Sequence, residues 1–515
     1  MVRAPQTMST GAHPTCFRLG GSAHGLVAYD ACVHVARLIA RHDPDDIALI
    51  CGGDQLTWGD LRHRIGQVTG RLSERIAPGD VVVVVGETSI EFVEVVLGSL
   101  AAGATVLPLH PRYPVAELSY ACELAEPALV VSVGSDATAA ELSSAPLDAA
   151  DLLTGEPADA IDVDEHQAAL LMFTSGTAGS PRLAMLSRAN LAASIRSTMA
   201  SSDRLAEIVR VVLGIMPLSH VLGLVSVLGV SLAAGATLVL APEVDVDTVV
   251  DLVDTHDVTL LVAPPVFWFR MAAAEPDASR LASVELGLSG AAPLQGALAA
   301  RVEDVLGIQL RQGYGLTEAS PGLTTSVGTD APATSVGRPL PGVELRLVDE
   351  FGDDALVGDV GEVWARGDNV FLGYLGDPEA TAAVLDADGW LRTGDLAVVD
   401  EHGHLFIVGR NKDQIICAGF NVHPGEVEDW LATHPAVQAA AVVGEPDREY
   451  GEAVVAFVVP VGGAGGADAA VDVGELRRHC RSRLAGYKVP SRFELVDELP
   501  RGLGGKLQRR ALRSS

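Results

Sequence analysis

Short apolar runs that alternate with helical segments are the feature of this sequence that most limits its fold. Residues 81–85 are five consecutive valines, and a helical pattern over 89–100 separates them from the next apolar run at 104–109. Neighbouring parallel strands need a crossover of this kind, which is usually a helix. The same alternation returns between 211 and 288. The sequence therefore predicts an α/β fold that contains two mostly parallel α/β subdomains.

The pattern changes in the second half of the chain. A chain of 515 residues is too long for one ordinary core. Between 337 and 409 short alternating runs with tight turns predict a small β-barrel-like subdomain. After Arg410, helical patterns at 426–433 and 473–485 predict a small α+β domain. We expect a loose leader at 1–28, a large N-terminal domain at 29–409 and a C-terminal domain at 410–515.

Composition excludes several classes of function. The net charge is −31, from 36 basic and 67 acidic residues, which argues against binding nucleic acid or an anionic membrane as the main role. No uninterrupted apolar run has the length of a membrane span. The six cysteines lack metal-ligand or disulfide spacing, which is typical of a reduced, cytoplasmic compartment. Only Lys412, Lys488 and Lys506 are lysines, so their positions are informative.

A stretch rich in glycine and hydroxyl side chains suggests an anion site. Apolar residues at 168–172 precede it, and a helical pattern begins after Ser187. A strand, a loop of this kind and a helix present backbone N–H groups to a phosphate, so we expect these three elements in that order. A plain surface loop is the alternative, and the spacing is not that of the GxxxxGK[ST] motif. The loop residues are Thr174, Ser175, Gly176, Thr177 and Gly179.

Seven motifs in a fixed order extend this interpretation. They are TSGTAGSPR (174–182), MPLSHVLG (216–223), SGAAPL (289–294), QGYGLTEAS (312–320), WLRTGDL (390–396), GRNKDQIICAGFNVHPGEVE (409–428) and PRGLGGKLQRR (500–510). Together they resemble the adenylate-forming superfamily, and within it the acyl-CoA synthetases, or fatty-acid–CoA ligases. The resemblance covers roughly 30 to 512. It implies a large AMP-binding domain and a small mobile C-terminal domain.

The resemblance implies where adenosine would bind. Tyr314 offers a flat ring on which adenine can stack, with Gly290 and Ala291 against the other face of the purine. Asp395 would accept hydrogen bonds from the ribose hydroxyls, and Arg410 would lie nearby. Taken alone, a loop tyrosine and a turn aspartate are more often structural. The same part of the implied site includes Ala292, Gly313, Gly315 and Thr317.

The resemblance also implies how the triphosphate would be held. Glu318 is a hard oxygen ligand suited to the Mg²⁺ that accompanies ATP. Where the family commonly has Pro-Lys-Gly, this chain has Arg182 followed by Leu183. Arginine keeps the charge but is bulkier and planar, so we expect weaker adenylation. The phosphate contacts would come from Thr174, Ser175, Gly176, Thr177, Gly179 and Arg182.

The resemblance assigns the chemistry to two further positions. His220 would lie beside the acyl carboxylate, with a satisfied core histidine as the alternative; no serine lies in a GxSxG motif. Lys506 would reach the α-phosphate, where negative charge builds up in the transition state. Lys412 would be the hinge of a domain rotation that brings Gly419 and its neighbours to the site. The implied reaction forms an acyl-adenylate and then a thioester with coenzyme A.

Several alternatives remain at this stage. A variant that only thioesterifies a supplied acyl-adenylate, an acyl-AMP ligase that loads a carrier-protein thiol, and a regulator that binds nucleotide without turnover all fit the motifs. An amino-acid-activating domain is disfavoured, because the block at 216–220 is apolar apart from Ser219 and His220. Apolar candidates for the acyl pocket predict a hydrophobic acid. They are Leu222, Leu224, Phe267, Trp268 and the loop 289–293, and core packing is the more common role for any one of them.

Overall fold

A computed structural model describes most of the chain. The described residues are 18–20, 39–134, 136–143, 145–174, 182–417, 420–447, 451–462, 471–502 and 505–513. Within these ranges the strands form four sheets. None of the described helices combines the length and the hydropathy of a membrane-spanning segment.

The first sheet has seven strands and a parallel centre. Val82, Val83, Val84 and Val85 are fully buried, because helices cover both faces of the strand to which they belong. The predicted alternation of strand and helix is confirmed here. In spatial order the strands are Gly373–Tyr374, Arg182–Ser187, Ala168–Thr174, Thr105–Leu109, Val81–Gly86, Leu129–Val133 and Leu147–Asp148.

The glycine–hydroxyl stretch connects two strands, which corrects the expected order of strand, loop and helix. Arg182–Ser187 pairs antiparallel with Ala168–Thr174. Four of its six residues are buried, so it adds to the sheet before the next helix begins. Ser187 caps that helix, Arg188–Met199, by accepting a hydrogen bond from Asn190 N. The two strands therefore form an antiparallel pair before the helix; residues 175–181 lie outside the described part.

The second sheet has nine strands and supplies much of the candidate site. Its five central connections are parallel, and antiparallel strands complete each edge. Residues of the QGYG motif therefore enter the site at the end of a central strand. In spatial order the strands are Arg338–Pro339, Gly322–Thr325, Leu310–Gly315, Leu286–Ser289, Leu260–Ala263, Val211–Gly214, Thr237–Leu240, Ile47–Cys51 and Asp54–Thr57.

Helices cover these two sheets. Trp58–Ser73 and Ile90–Ala101 approach so closely that a Cβ on Gly98 would lie 2.4 Å from Val68 Cβ. The segment 146–164, whose alanine- and acid-rich sequence with weak periodicity predicts a linker, includes the short strand Leu147–Asp148 and the helix Ala149–Leu152. The other helices are Val115–Ala125, Asp136–Leu142, Arg188–Met199, Asp203–Ile208, Val230–Ala234, Val246–His256, Pro265–Ala274, Gly296–Leu306 and Pro378–Val384, with a π-helical stretch at Leu222–Gly229.

The third sheet is antiparallel and has five strands, where a small β-barrel-like subdomain is expected. One edge strand, Arg18–Gly20, comes from the predicted leader and pairs with Glu344–Val348. The other edge carries Arg410, the residue at which the C-terminal domain was expected to begin. In spatial order the strands are Arg18–Gly20, Glu344–Val348, Gly361–Arg366, Leu391–Val399 and Leu405–Arg410.

The C-terminal domain has its own sheet and its own core. Leu431 and Leu476 come from its two helices and pack with Val442 and Val458 of its two long strands; all four are fully buried. The predicted α+β class is therefore confirmed. The helices are Pro424–Ala432 and Val473–Arg481, and the strands are Ile415–Cys417, Phe420–Val422, Val437–Asp447, Gly451–Pro460 and Arg492–Leu495.

Candidate active site

Tyr314, Asp395 and Arg410 form one connected group at the junction of the second and third sheets. Asp395 and Arg410 face each other on paired strands. Tyr314 Oη donates a hydrogen bond of 2.8 Å to Asp395 Oδ2, and Arg410 Nε lies 2.6 Å from Asp395 Oδ1. Asp395 is only 3% exposed, so this pairing stabilises a buried charge. The structure therefore brings together the three residues predicted for adenine and ribose.

Electrostatics keep this group in one protonation state. Burial, followed by the Asp395 carboxylate, raises the pKa of the Tyr314 phenol well above its ordinary value. Burial opposes the charge of Arg410, but Asp395 outweighs it and raises the pKa of the guanidinium. Tyr314 is consequently a hydrogen-bond donor and Arg410 a cation at any pH an enzyme meets. An aspartate held in this way can accept further hydrogen bonds from a diol.

The glycines around Tyr314 are required by the neighbouring strand. A Cβ on Gly315 would lie 1.9 Å from Pro321 O, and one on Gly313 would lie 2.8 Å from Thr324 O. No larger residue fits at Gly315 unless the backbone moves. Thr317 begins the short 3₁₀ turn that follows, and Ser320 N bonds to its carbonyl. These residues shape the path of the chain past the tyrosine; their contact with a nucleotide stays a prediction.

The loop after the strand Leu286–Ser289 is strained beside the site. Ala291 has a φ of +68°, a left-handed conformation that costs energy in a residue other than glycine. The preceding Gly290 lies against Leu222, since a Cβ there would be 3.1 Å from Leu222 Cδ2. Ala292 follows in the same loop. Strain of this kind persists where the surrounding structure fixes the backbone, which is common at functional sites.

Glu318 and Arg182 meet through Tyr374, a residue that the sequence interpretation missed. Tyr374 Oη donates a 2.7 Å hydrogen bond to Glu318 Oε1, and the Arg182 guanidinium carbon lies 5.4 Å from the centroid of the Tyr374 ring. Arg182 Nε also donates to Asp377 Oδ2 at 2.9 Å. Burial, followed by the charge of Glu318, raises the pKa of Tyr374 above its ordinary value.

The sequence contains a partial signal for Asp377 and little for Tyr374, the two residues that the interpretation missed. Asp377-Pro378-Glu379 reads as a helix start, and Asp377 does accept the capping hydrogen bond from Ala380 N. Only seven tyrosines occur in the chain. However, 56 residues separate Tyr374 from Glu318, and 195 separate Asp377 from Arg182. Local patterns do not reveal pairs of that separation.

The phosphate stretch is described only at its ends. Thr174 and Arg182 pair across the two strands, and Thr174 Oγ1 donates to Arg182 O at 3.2 Å. The remaining predicted phosphate contacts lie outside the described residues, so their position stays a prediction. They are Ser175, Gly176, Thr177 and Gly179.

His220 and Lys506 approach each other from different domains. Burial, followed by the nearby Lys506 ammonium, lowers the pKa of His220 to about 4. His220 Nδ1 accepts a hydrogen bond from Leu222 N at 3.2 Å, so Nδ1 carries no proton and Nε2 is the donor of the neutral ring. The lysine predicted to complete the site is thus beside the histidine predicted to face the acid.

Further contacts fix the C-terminal tail over the large domain. A Cβ on Gly505 would lie 3.2 Å from Val266 Cγ1, which places the glycine loop against the helix Pro265–Ala274. Arg270, on that helix, is close enough to lower the pKa of Arg501 in addition to the larger effect of burial. The two domains are therefore docked with the tail at the site.

The predicted hinge lies in a short turn. Lys412 is the middle residue of the 3₁₀ turn Asn411–Asp413, directly after the strand that carries Arg410. Arg509 Nη2 binds both carboxylate oxygens of Glu428, at 2.8 Å and 2.6 Å, and Arg509 Nη1 lies 3.8 Å from Asp413. Gly419, predicted to take part in the second half-reaction, lies outside the described residues.

The acyl-pocket candidates divide into two groups. Phe267 and Trp268 are 3% and 0% exposed and belong to a hydrophobic core, where Trp268 Nε1 donates to Ala263 O. They pack the fold and do not line an open pocket. Leu222 and Leu224 follow His220 in the π-helical stretch and stay candidates.

The residues present fit a magnesium ion held mainly by nucleotide phosphates. In the part of the chain that the structure describes, no group of three or more His, Cys, Asp and Glu side chains could bind a metal. Mg²⁺ in nucleotide sites typically takes one or two carboxylates, water and phosphate oxygens. Glu318 offers one carboxylate, oriented by Tyr374. A single oriented carboxylate is sufficient for this type of site.

The comparison with protein families decides the relationship. The family described as AMP-binding enzyme matches residues 37–375, and the AMP-binding enzyme C-terminal domain matches residues 426–506. The chain belongs to the AMP-binding enzyme family. The first match covers the phosphate stretch, Tyr314 and Glu318, and the second reaches Lys506, so the resemblance to the adenylate-forming superfamily is confirmed.

Several relatives are named as acid–CoA ligases. A feruloyl-CoA synthase from Amycolatopsis is 35% identical over 479 residues, which cover 91% of this chain and 95% of that protein. A 3-[(3aS,4S,7aS)-7a-methyl-1,5-dioxo-octahydro-1H-inden-4-yl]propanoyl:CoA ligase from Rhodococcus jostii is 33% identical and covers 92% of this chain and 96% of that protein. Together with the family match, they identify this member of the AMP-binding enzyme family as an AMP-forming acyl-CoA synthetase that uses ATP and coenzyme A.

The solved structures add information about the state of the two domains. ATP-bound MatB from Rhodopseudomonas palustris is 32% identical, covers 93% of this chain and 97% of its own, and superposes with a TM-score of 0.85. The apo form of the same protein gives a TM-score of 0.76 at the same identity and coverage. This member of the family thus superposes better on the ATP-bound form than on the apo form.

Proposed function

We propose that this acyl-CoA synthetase activates a hydrophobic carboxylic acid, and that the residues brought together in the structure carry the reaction. The observation that supports this most directly is the approach of Lys506 to His220, which joins the tail of the small domain to the predicted acid site. Tyr314, Asp395 and Arg410, which we call the ribose group because they are predicted to bind the ribose side of adenosine, form a separate, preformed cluster in the large domain.

In the first half-reaction an oxygen of the acid carboxylate attacks the α-phosphorus of ATP. The bond between the α-phosphorus and the bridging oxygen to the β-phosphate breaks, and pyrophosphate leaves. Tyr314 and Asp395 fix the adenosine, while Glu318 would bind the Mg²⁺ that neutralises the phosphate charge. Such positioning and charge stabilisation account for most of the acceleration of a phosphoryl-type transfer.

Lys506 stabilises the charge that develops between the two reactants. Its ammonium is a compact cation delivered by the docked tail to the partly buried His220, and a fixed cation there stabilises the developing charge. His220 stays neutral because burial and Lys506 both disfavour its charge. A neutral imidazole with Nε2–H donates a hydrogen bond to the acid without quenching its nucleophilic carboxylate.

In the second half-reaction the coenzyme A thiol attacks the acyl carbonyl of the adenylate and AMP leaves. AMP is a better leaving group than hydroxide, and ATP is consumed to attach this leaving group to the acid. We infer that the turn at Lys412 lets the small domain rotate, so that Lys506 leaves and the segment around Gly419 approaches. Transfer to a carrier-protein thiol instead of coenzyme A is the alternative acceptor.

The arginine in the phosphate loop is anchored in a way that supports complete ligase activity. Arg182 binds Asp377 through Nε and lies over Tyr374, so its position is fixed despite the greater bulk of arginine. Its Nη groups then remain for an anion. The side chain next to it, Leu183, is buried in the sheet and does not obstruct the loop.

A half-reaction assay over a panel of acids tests the proposal. Pyrophosphate release from ATP is measured with fatty, aryl and polycyclic acids, each with and without coenzyme A and with an acyl carrier protein as alternative acceptor. The proposal expects release that depends on a hydrophobic acid and a CoA thioester as the product. Absence of pyrophosphate release, together with thioester formation from added acyl-AMP, would instead identify the variant that does not adenylate.

A further inference from the structure

Tyr374 touches the predicted metal ligand from a segment that has no assigned role. Glu318 Oε1 accepts the 2.7 Å hydrogen bond from Tyr374 Oη, and the backbone oxygen of Glu318 accepts one of 2.9 Å from Phe371 N. Asn369 Nδ2 donates to Ala319 O and Gly322 O at 2.9 Å and 2.8 Å. The residues between 369 and 374 therefore hold both the backbone and the side chain at this position.

The tyrosine itself is fixed from several directions. The strand Gly373–Tyr374 pairs with Ala184 and Met185, which belong to the strand directly after the phosphate stretch. Tyr374 N donates to Thr381 Oγ1 at 2.9 Å, and the Phe371 ring packs edge-on at 5.0 Å between centroids. A phenol held in this way keeps its hydroxyl at one place.

The other face of the ring contacts the phosphate side of the site. The Arg182 guanidinium carbon lies 5.4 Å from the Tyr374 centroid, and the ion pair with Asp377 holds the guanidinium there. Asp377 Oδ1 in turn caps the helix Pro378–Val384 through Ala380 N. Tyr374 is thus located between the loop arginine and the predicted magnesium ligand, with one contact to each.

We propose that Tyr374 is a positioning residue that orients the Glu318 carboxylate for the magnesium ion of Mg·ATP. The inference rests on the proposed function of Glu318. By donating to Oε1, the phenol fixes the plane of the carboxylate and leaves Oε2 to the ion. A carboxylate without this partner rotates about its last side-chain bond, and ordering it again costs free energy each time Mg²⁺ binds.

The hydroxyl is separable from the ring, which makes the inference testable. Tyr374→Phe keeps the ring against Phe371 and Arg182 and removes only the bond to Glu318. Loss of a hydrogen bond to a charged group typically weakens the equilibrium it supports by about tenfold or more. We therefore expect the variant to fold, and we expect the gain in ATP affinity that Mg²⁺ gives to be about tenfold smaller. Tyr120→Phe, at an exposed tyrosine on the helix Val115–Ala125, is the matched control.

The primary readout is binding, without turnover. Calorimetry with an α,β-methylene analogue of ATP gives the Kd with and without Mg²⁺ for each variant. For Tyr374→Phe we expect the gain in affinity due to Mg²⁺ to shrink about tenfold, while the Kd without Mg²⁺ changes less than about twofold. The Mg²⁺ concentration for half-maximal pyrophosphate release should rise by a similar factor, with thioester formation from supplied acyl-AMP unchanged.

Comparison with Glu318→Gln separates the two levels of the inference. If Glu318→Gln removes the magnesium effect and Tyr374→Phe does not change it, the positioning role is wrong and the proposed function stands. If Glu318→Gln itself leaves the magnesium effect intact, the role proposed for Glu318 is wrong. In the double variant, Tyr374→Phe should add less than about twofold, because the phenol acts through the carboxylate. Full additivity, or an equal loss in both half-reactions, would overturn the inference.

Discussion

The proposed site has two ends, which we assign to the ribose and to the α-phosphate, and they are built in different ways. At the ribose end, Tyr314, Asp395 and Arg410 all lie on strands of the large domain and satisfy one another. At the α-phosphate end, His220 comes from the large domain, while Lys506 arrives on a glycine-rich tail of the small domain. The first end is complete without docking of the small domain, although its strand Leu405–Arg410 leads directly into that domain. The second end forms only when the two domains are docked.

This difference matches the two tasks of a ligase with two half-reactions. Nucleotide recognition has to persist through both steps, so it is placed on paired strands with buried, mutually satisfied charges. The cation that stabilises the first transition state has to leave before a thiol can reach the acyl group. A lysine on a tail can leave without disturbing the adenosine contacts.

The largest effect on this difference between the two ends is expected from Lys506→Ala. Removing the cation should lower acyl-AMP formation by about 10³-fold, as for other groups that stabilise developing charge. Thioester formation from supplied acyl-AMP should stay within about threefold. Single-turnover pyrophosphate release and the isolated second half-reaction measure the two values. Lys488→Ala is the control, because Lys488 pairs with Glu426 within the small domain; equal losses in both half-reactions would contradict the division.

Asp395→Ala should have the next largest effect, at the other end. The substitution leaves Arg410 half-buried without its partner, which costs about 3–5 kcal/mol when a buried pair is broken. We expect the KM for ATP in the forward reaction and the KM for AMP in the reverse reaction each to rise by about 10²-fold. Thermal unfolding of the same variant shows how much of the loss is stability. An unchanged KM for ATP would show that the ribose group is structural only.

The pH dependence of stability sharpens the comparison at His220. Its pKa is about 4 in the folded protein and 6.5 ordinarily, so the folded state binds fewer protons than the unfolded state between these values. Stability should therefore fall by about 3 kcal/mol as the pH is lowered from 6.5 to 4. His220→Gln should flatten this part of the curve in denaturant titrations. A curve unchanged by the substitution would mean that His220 is not buried beside a cation.

The smallest effect is expected at a buried carboxyl outside both ends. Burial raises the pKa of Glu94 to about 7, the charge of Arg64 at 3.5 Å only partly opposes this, and neither carboxyl oxygen has a hydrogen-bond partner among the described residues. Between pH 4.5 and 7 the folded state binds more protons, so stability falls as the pH rises through that window. Glu94→Gln should remove this loss and stabilise the protein by about 1 kcal/mol at pH 8. A change in the rate of either half-reaction in this variant would contradict the separation of Glu94 from the site.

Local sequence patterns predict most of the fold and part of the site. The strand Val81–Gly86 and the helix Ile90–Ala101 lie where the patterns at 81–85 and 89–100 predict them, and the helix Pro424–Ala432 lies within two residues of the predicted 426–433. Their periodicity records burial by neighbours close in sequence. The strand Arg182–Ser187 was missed, because RLAMLS after a proline has no clear period and becomes a strand only by pairing with Ala168–Thr174.

The site was predictable where motif residues carry the chemistry and not where support is distant. Tyr314, Asp395 and Arg410 stand in separate motifs, and the resemblance joins them correctly. Tyr374 and Asp377 were missed, since their partners are set by tertiary packing. Phe267 and Trp268 look like pocket residues by composition but pack the core, and hydrophobicity alone does not distinguish these roles.

ATP binding to the Lys506→Ala variant tests the central claim most directly. Calorimetry without the acid isolates nucleotide affinity from chemistry. If the ribose end is preformed and the lysine acts only on the transition state, the Kd for Mg·ATP should stay within about threefold of the unaltered protein while acyl-AMP formation is lost. A Kd that rises as far as in Asp395→Ala would show that the two ends are one binding unit and would contradict the account.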